Sequence, residues 1–74
     1  MILTSEQQEI IENANVTKLA KLMKKDWYIL DGCKTELNIL CNEVTYGESD
    51  ITRISEKLSK LIKIAMALGK ANEY

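Results

Sequence analysis

Residues 16–44 read VTKLAKLMKKDWYILDGCKTELNILCNEV, and the spacing of apolar side chains in that stretch decides the fold class. Val16, Ala20, Met23, Trp27, Leu30, Leu37, Cys41 and Val44 recur at alternating steps of four and three, with Lys34 in the one polar slot. Such a stripe keeps one face of a helix turned toward a neighbour, which is what knobs-into-holes packing requires. A second register follows at Ile51, Ile54, Leu58, Leu61, Ala65 and Leu68. The expectation is an all-α protein of coiled-coil-like helices lying side by side.

Local residues set the predicted boundaries. Thr4 or Ser5 can cap a first short helix, with Gln7 or Gln8 completing a capping box. Glu6 and Glu9 suit the positive end of its dipole. Asn13 can stop that helix in the left-handed conformation, and Asn15 can cap the next. A long helix then runs over about 16–46, Gly47 ends it, and Ser49 or Asp50 caps a helix over about 51–71. This predicts an antiparallel hairpin of the 16–46 and 51–71 helices with a short N-terminal helix packed on it, a three-helix bundle-like fold. The long helix would measure about 48 Å, and Leu37 would face Leu58 while Trp27 faces Leu68. Asp31-Gly32 is the place where the chain could instead turn, which would make a four-helix bundle. The unbroken heptad from Leu30 to Leu37 argues for continuity. Trp27-Tyr28-Ile29-Leu30 cannot all face one side, so either Ile2 and Leu3 cover a second face or the aromatic anchors a partner.

Size and composition bound the rest. The 74 residues make one helical domain, 1–74, with a core small enough to need help from a partner or a staple. Proline and histidine are both absent, which permits long helices and removes the commonest acid/base and metal-binding side chain. Cys33 and Cys41 are too far apart on one helix to bridge, and with no secretory leader they read as reduced thiols in a cytoplasmic protein. No apolar run is long enough to cross a membrane. Net charge is −1 and is distributed in blocks: acidic over 1–14, basic over 15–25, acidic over 26–50, basic beyond.

For function, catalysis has no support. No thiol has a histidine to activate it, no glycine-rich phosphate loop exists, and no metal-ligand spacing appears. The expectation is a protein that is not an enzyme and needs no cofactor or metal. The 16–23 stretch outlasts its cover in the hairpin, and Ile62, Ile64 and Met66 add apolar surface outside the seam. The candidate partner-binding residues are therefore Val16, Leu19, Met23, Trp27, Ile62 and Met66, serving a protein partner of unspecified identity and an antiparallel homodimer. The alternative is a small nucleic-acid-associated regulator using Lys18, Lys21, Lys24 and Lys25 with Arg53, Lys57, Lys60 and Lys63. The balanced net charge weighs against it, as does a would-be recognition helix, Cys33 to Val44, whose basic side chain is Lys34 alone. The lysine-, isoleucine- and asparagine-rich composition in so short a chain is similar to that of phage or mobile-element accessory proteins, which implies an accessory or regulatory role.

Overall fold

The computed structural model describes residues 3–73. Four helices pack against one another: α1 (Ser5–Asn13), α2 (Val16–Lys25), α3 (Trp27–Asn42) and α4 (Ile51–Glu73). A π-helical turn, Glu43–Gly47, extends α3, and no strand occurs among the described residues.

The caps explain most boundaries. Thr4 Oγ1 accepts from Gln7 N at 3.1 Å while Gln7 Oε1 accepts from Thr4 N at 3.0 Å, a complete capping box. The exit from α1 differs from expectation. No described residue has a positive φ; the chain leaves through an extended Ala14 (φ −79, ψ 141) rather than a left-handed Asn13. Asn15 Oδ1 then accepts from Lys18 N at 2.8 Å and starts α2. Asp50 Oδ1 starts α4 by accepting from Thr52 N at 2.8 Å and Arg53 N at 3.2 Å.

The long helix over 16–46 does not exist. The chain breaks at Asp26, which is extended (φ −133, ψ 107). Asp26 N closes α2 by donating to Leu22 O at 2.9 Å, and Asp26 Oδ1 opens α3 by accepting from Tyr28 N at 3.0 Å. One residue therefore ends one helix and caps the next. Lys24 and Lys25 sit in the last turn of α2, where cations are favoured, and the acid follows at the start of α3, where an anion is favoured. Gly32 is not the break. It lies inside α3 because α1 crosses there: a Cβ at Gly32 would sit 2.8 Å from Gln7 Nε2, and that nitrogen donates to Tyr28 O at 3.0 Å.

α3 and α4 form the antiparallel hairpin. Glu43 meets Lys57 at 3.1 Å and Glu36 meets Lys60 at 3.8 Å, so numbers rise on one helix as they fall on the other. α1 and α2 lie on one side of it. Gln7 binds the backbone of α3, Lys63 Nζ donates to Glu12 O at 3.1 Å across α1 and α4, and α2 packs most extensively on α4. The core between them consists of Ile11, Leu19, Ala20, Met23, Ile29, Cys33, Leu40, Ile64, Ala67 and Ala71, edged by Leu3 and Ala14. The longest dimension, 36 Å, is about one α4 in length.

The core is therefore one helical position away from the predicted seam. On α3 it is built from Ile29, Gly32, Cys33, Glu36 and Leu40, and on α4 from Ile64, Ala67 and Ala71. Ala20 and Met23 of the predicted stripe are inside. Trp27 is 75 % exposed and does not face Leu68 as a core neighbour. Cys41, Ile51, Leu58 and Ala65 are exposed, and Leu30, Leu37, Val44, Ile54, Leu61 and Leu68 are half-buried.

Candidate functional site: the outer face of the hairpin

α1 and α2 cover one side of the hairpin, and the heptad positions of α3 and α4 lie between that side and the open one. At 100° per residue, Leu30, Leu37, Cys41 and Val44 fall together on α3, offset from the buried Ile29–Cys33–Glu36–Leu40 stripe. On α4 the positions turned away from Ile64 and Ala67 are Ile51, Ser55, Leu58, Ile62, Ala65, Met66 and Gly69. Exposure follows that geometry: Ile51 83 %, Leu58 40 %, Ile62 54 %, Met66 58 %. Leu30, Leu37, Leu61 and Leu68 touch the core with one edge and solvent with the other. α4 is thus apolar over most of its circumference, and only part of that surface is used within the chain.

The predicted partner-binding residues separate into three groups. Leu19 and Met23 are core residues, 0 % and 3 % exposed. Val16 is half-buried where α2 starts, beside Met66, Gly69, Lys70 and Glu73. Ile62 and Met66 lie exposed on the outer side of α4, while Trp27 stands exposed at the first position of α3, its ring edge-on to Tyr28 at 6.3 Å. Tyr28 turns inward and donates from its hydroxyl to Thr4 Oγ1 at 3.0 Å. The residues that complete the outer face, Ile51, Leu58, Ala65 and Gly69, include three of the α4 heptad, which by periodicity alone is expected in the core.

The eight basic side chains also divide. Lys18, Lys21, Lys24 and Lys25 project from α2 into solvent. Those of α4 are engaged within the chain. Lys57 reaches Glu43 at 3.1 Å and Glu48 at 3.4 Å, Lys60 reaches Glu36 at 3.8 Å, Arg53 lies 4.0 Å from Glu48, and Lys63 is bonded to Glu12 O. The hydrogen bond to Glu43 raises the Lys57 pKa, desolvation opposes it, and Glu48 adds to the rise. The Asp50 N–H, followed by the Lys57 ammonium, lowers that of Glu48.

A cleft of about 720 Å³ opens between α1, α3 and α4, lined by Gln8, Glu12, Glu36, Ile39, Glu56 and Lys60 among others. Lys60 pairs with Glu36 and Lys57 with Glu43 across the hairpin beside it, and Glu36 is 6 % exposed. Among the described residues no group of three or more Cys, Asp or Glu is placed to hold a metal ion. Burial pushes the Cys33 thiol up to about 11, with Lys63 opposing and Glu36 adding, so at neutral pH it is a protonated core group rather than a nucleophile. No described helix is long and apolar enough to cross a membrane.

Comparison with protein-family models, with curated proteins and with solved structures finds no match for this chain.

Proposed function

We propose that this chain is a small helical protein-interaction module that acts by binding, as an accessory or regulatory protein, and not by catalysis. The observation that carries this reading is the outer face of the α3–α4 hairpin. Large apolar side chains of α4, Ile51, Leu58, Ile62 and Met66, are left open to solvent, beside the half-buried Leu30, Leu37 and Val44 of α3. A contiguous apolar surface on a protein this small is the usual mark of a protein contact. Heptad spacing further implies that the partner surface is helical.

The nucleic-acid alternative is weaker than the sequence allowed, since Lys57, Lys60 and Lys63 are tied to acidic groups or to a carbonyl. The test is to measure binding of labelled duplex and single-stranded nucleic acid by fluorescence anisotropy, and protein partners by cross-linking in the host cell. The expected result is negligible nucleic-acid binding at physiological salt, and protein cross-links that vanish in the Leu58→Glu/Ile62→Lys variant. Tight nucleic-acid binding with a steep salt slope, abolished by neutralising the α2 lysines, would overturn the reading.

A further inference from the structure

The outward stripe of α4 complements itself when turned end for end. Its positions are Ile51, Ser55, Leu58, Ile62, Ala65 and Gly69, spaced four, three, four, three and four, and all are exposed. Reversed, the stripe sets Ile51 over Gly69, Ser55 over Ala65 and Leu58 over Ile62. Every pair shares one midpoint, at Lys60. Bulk meets lack of bulk at the ends. Nothing lies within 4 Å of where a Gly69 side chain would start, and Ile51 is a large side chain 83 % exposed.

The neighbouring helix has this symmetry to within one residue. Leu30 and Val44 reverse about Leu37, and Lys34 and Cys41 about a point half a residue further on: Leu30 meets Val44, Leu37 meets its own copy, and Lys34 comes within one residue, about 1.5 Å of rise, of Cys41. The two midpoints sit at neighbouring levels of the hairpin, because the side chains of Glu36 and Lys60 meet at 3.8 Å and those of Glu43 and Lys57 at 3.1 Å. A single twofold axis across the hairpin therefore satisfies both stripes at once, as a self-complementary interface requires.

Charge and area agree. In the reversed arrangement Asp50, at the start of α4, falls opposite Lys70 of the second copy, and the α4 dipoles oppose. Lys34 is the one charged side chain among these outward positions. From Ile51 to Gly69 the face is about 27 Å long and two helices, about 20 Å, wide, or about 1,100 Å² for a pair, just above the roughly 1,000 Å² a specific interface needs.

The geometry points to a homodimer in which two hairpins stack outer face on outer face, antiparallel, about a twofold axis beside Leu37 and Lys60. This rests on the reading of the outer face as a protein-binding surface, and names its occupant as a second copy of the chain. It replaces the 16–23 stretch with the α3–α4 heptads as the interface.

Sedimentation equilibrium of the whole chain across the micromolar range is the test, with two variants. Gly69→Leu replaces a glycine by a better helix former in open space, so the dilute monomer should melt no lower. It also fills the hollow that receives Ile51 of the second copy, so the dimer dissociation constant should rise about tenfold or more. Lys34→Cys should link to Cys41 of the second copy when oxidised by glutathione disulfide. The same pair within one helix is about 10.5 Å apart in rise and cannot bridge. A dimer that ignores Gly69→Leu, or a Lys34→Cys chain that forms no interchain link, overturns the register. A wild-type monomer at every concentration overturns the second copy. In that case Leu58→Glu/Ile62→Lys separates the two readings: unchanged monomer melting keeps the face for another protein, and a loss as large as that of a core truncation overturns the binding face as well.

Discussion

The two sides of the α3–α4 hairpin carry residues of opposite character. The inner side presents Ile29, Gly32, Cys33, Glu36, Leu40, Ile64, Ala67 and Ala71 to α1 and α2, and half of these are small. The outer side presents Leu30, Leu37, Val44, Ile51, Leu58 and Ile62, and most of these are large. Crossing helices need small side chains where they approach, and Gly32 under Gln7 and the buried Ala67 and Ala71 of α4 stand on the covered side. Size at the crossing points decides which side is covered.

The largest test of that contrast is paired truncation. Ile64→Ala removes a fully buried side chain and should cost about 2–5 kcal/mol in urea denaturation. Leu58→Ala, measured dilute enough to keep the chain monomeric, should cost under about 1 kcal/mol. Equal costs would mean that the outer face is inside after all.

Gly32→Ala comes next and tests the crossing itself. Alanine gains about 1 kcal/mol of helix propensity, but its Cβ displaces the Gln7 carboxamide from Tyr28 O and from the α1 capping box. A net loss of about 1–2 kcal/mol is expected. In a Gln7→Ala background the same change should become stabilising, and additive effects there would disprove the contact.

Asp26→Ala probes the junction between the two layers. Loss of the cap should cost about 1 kcal/mol by thermal melting, without loss of helix content. A gain in helicity would show that α2 and α3 fuse once the acid is gone.

The smallest effect concerns the two cysteines, one on each side. Cys41 should react at once with a thiol reagent at neutral pH, and Cys33 only as fast as the chain opens. Cys33 also makes stability fall at high pH. Its thiol ionises near 9.0 when unfolded but near 11 when folded. Between those values the unfolded chain has lost a proton that the folded chain keeps, so stability drops as pH rises through that window. Cys33→Ala should show a shallower decline by denaturant titration; an identical slope would mean the thiol is solvated.

Several features were legible in the residues. Thr4 with Gln7, Asn15 and Asp50 each cap the helix they stand before, and the apolar periods announce helices throughout. The Asp26 break was also written locally, in the switch from Lys24-Lys25 to an acid followed by Trp27. It was overridden by a heptad that keeps phase from Met23 to Leu30. Of the candidate surface, Ile62, Met66 and Trp27 were identified as open, whereas Leu19 and Met23 were assigned to a partner and belong to the core.

The sequence by itself determined that this chain is helical, where most of its helices start, and which apolar residues share a face, because capping and periodicity are properties of neighbours in the chain. Only the tertiary structure decided which face is covered. That choice depends on where α1 and α2 cross the hairpin, and the crossing is set by Gln7 over Gly32 and by alanines that let α2 approach α4, contacts between residues that no local pattern connects.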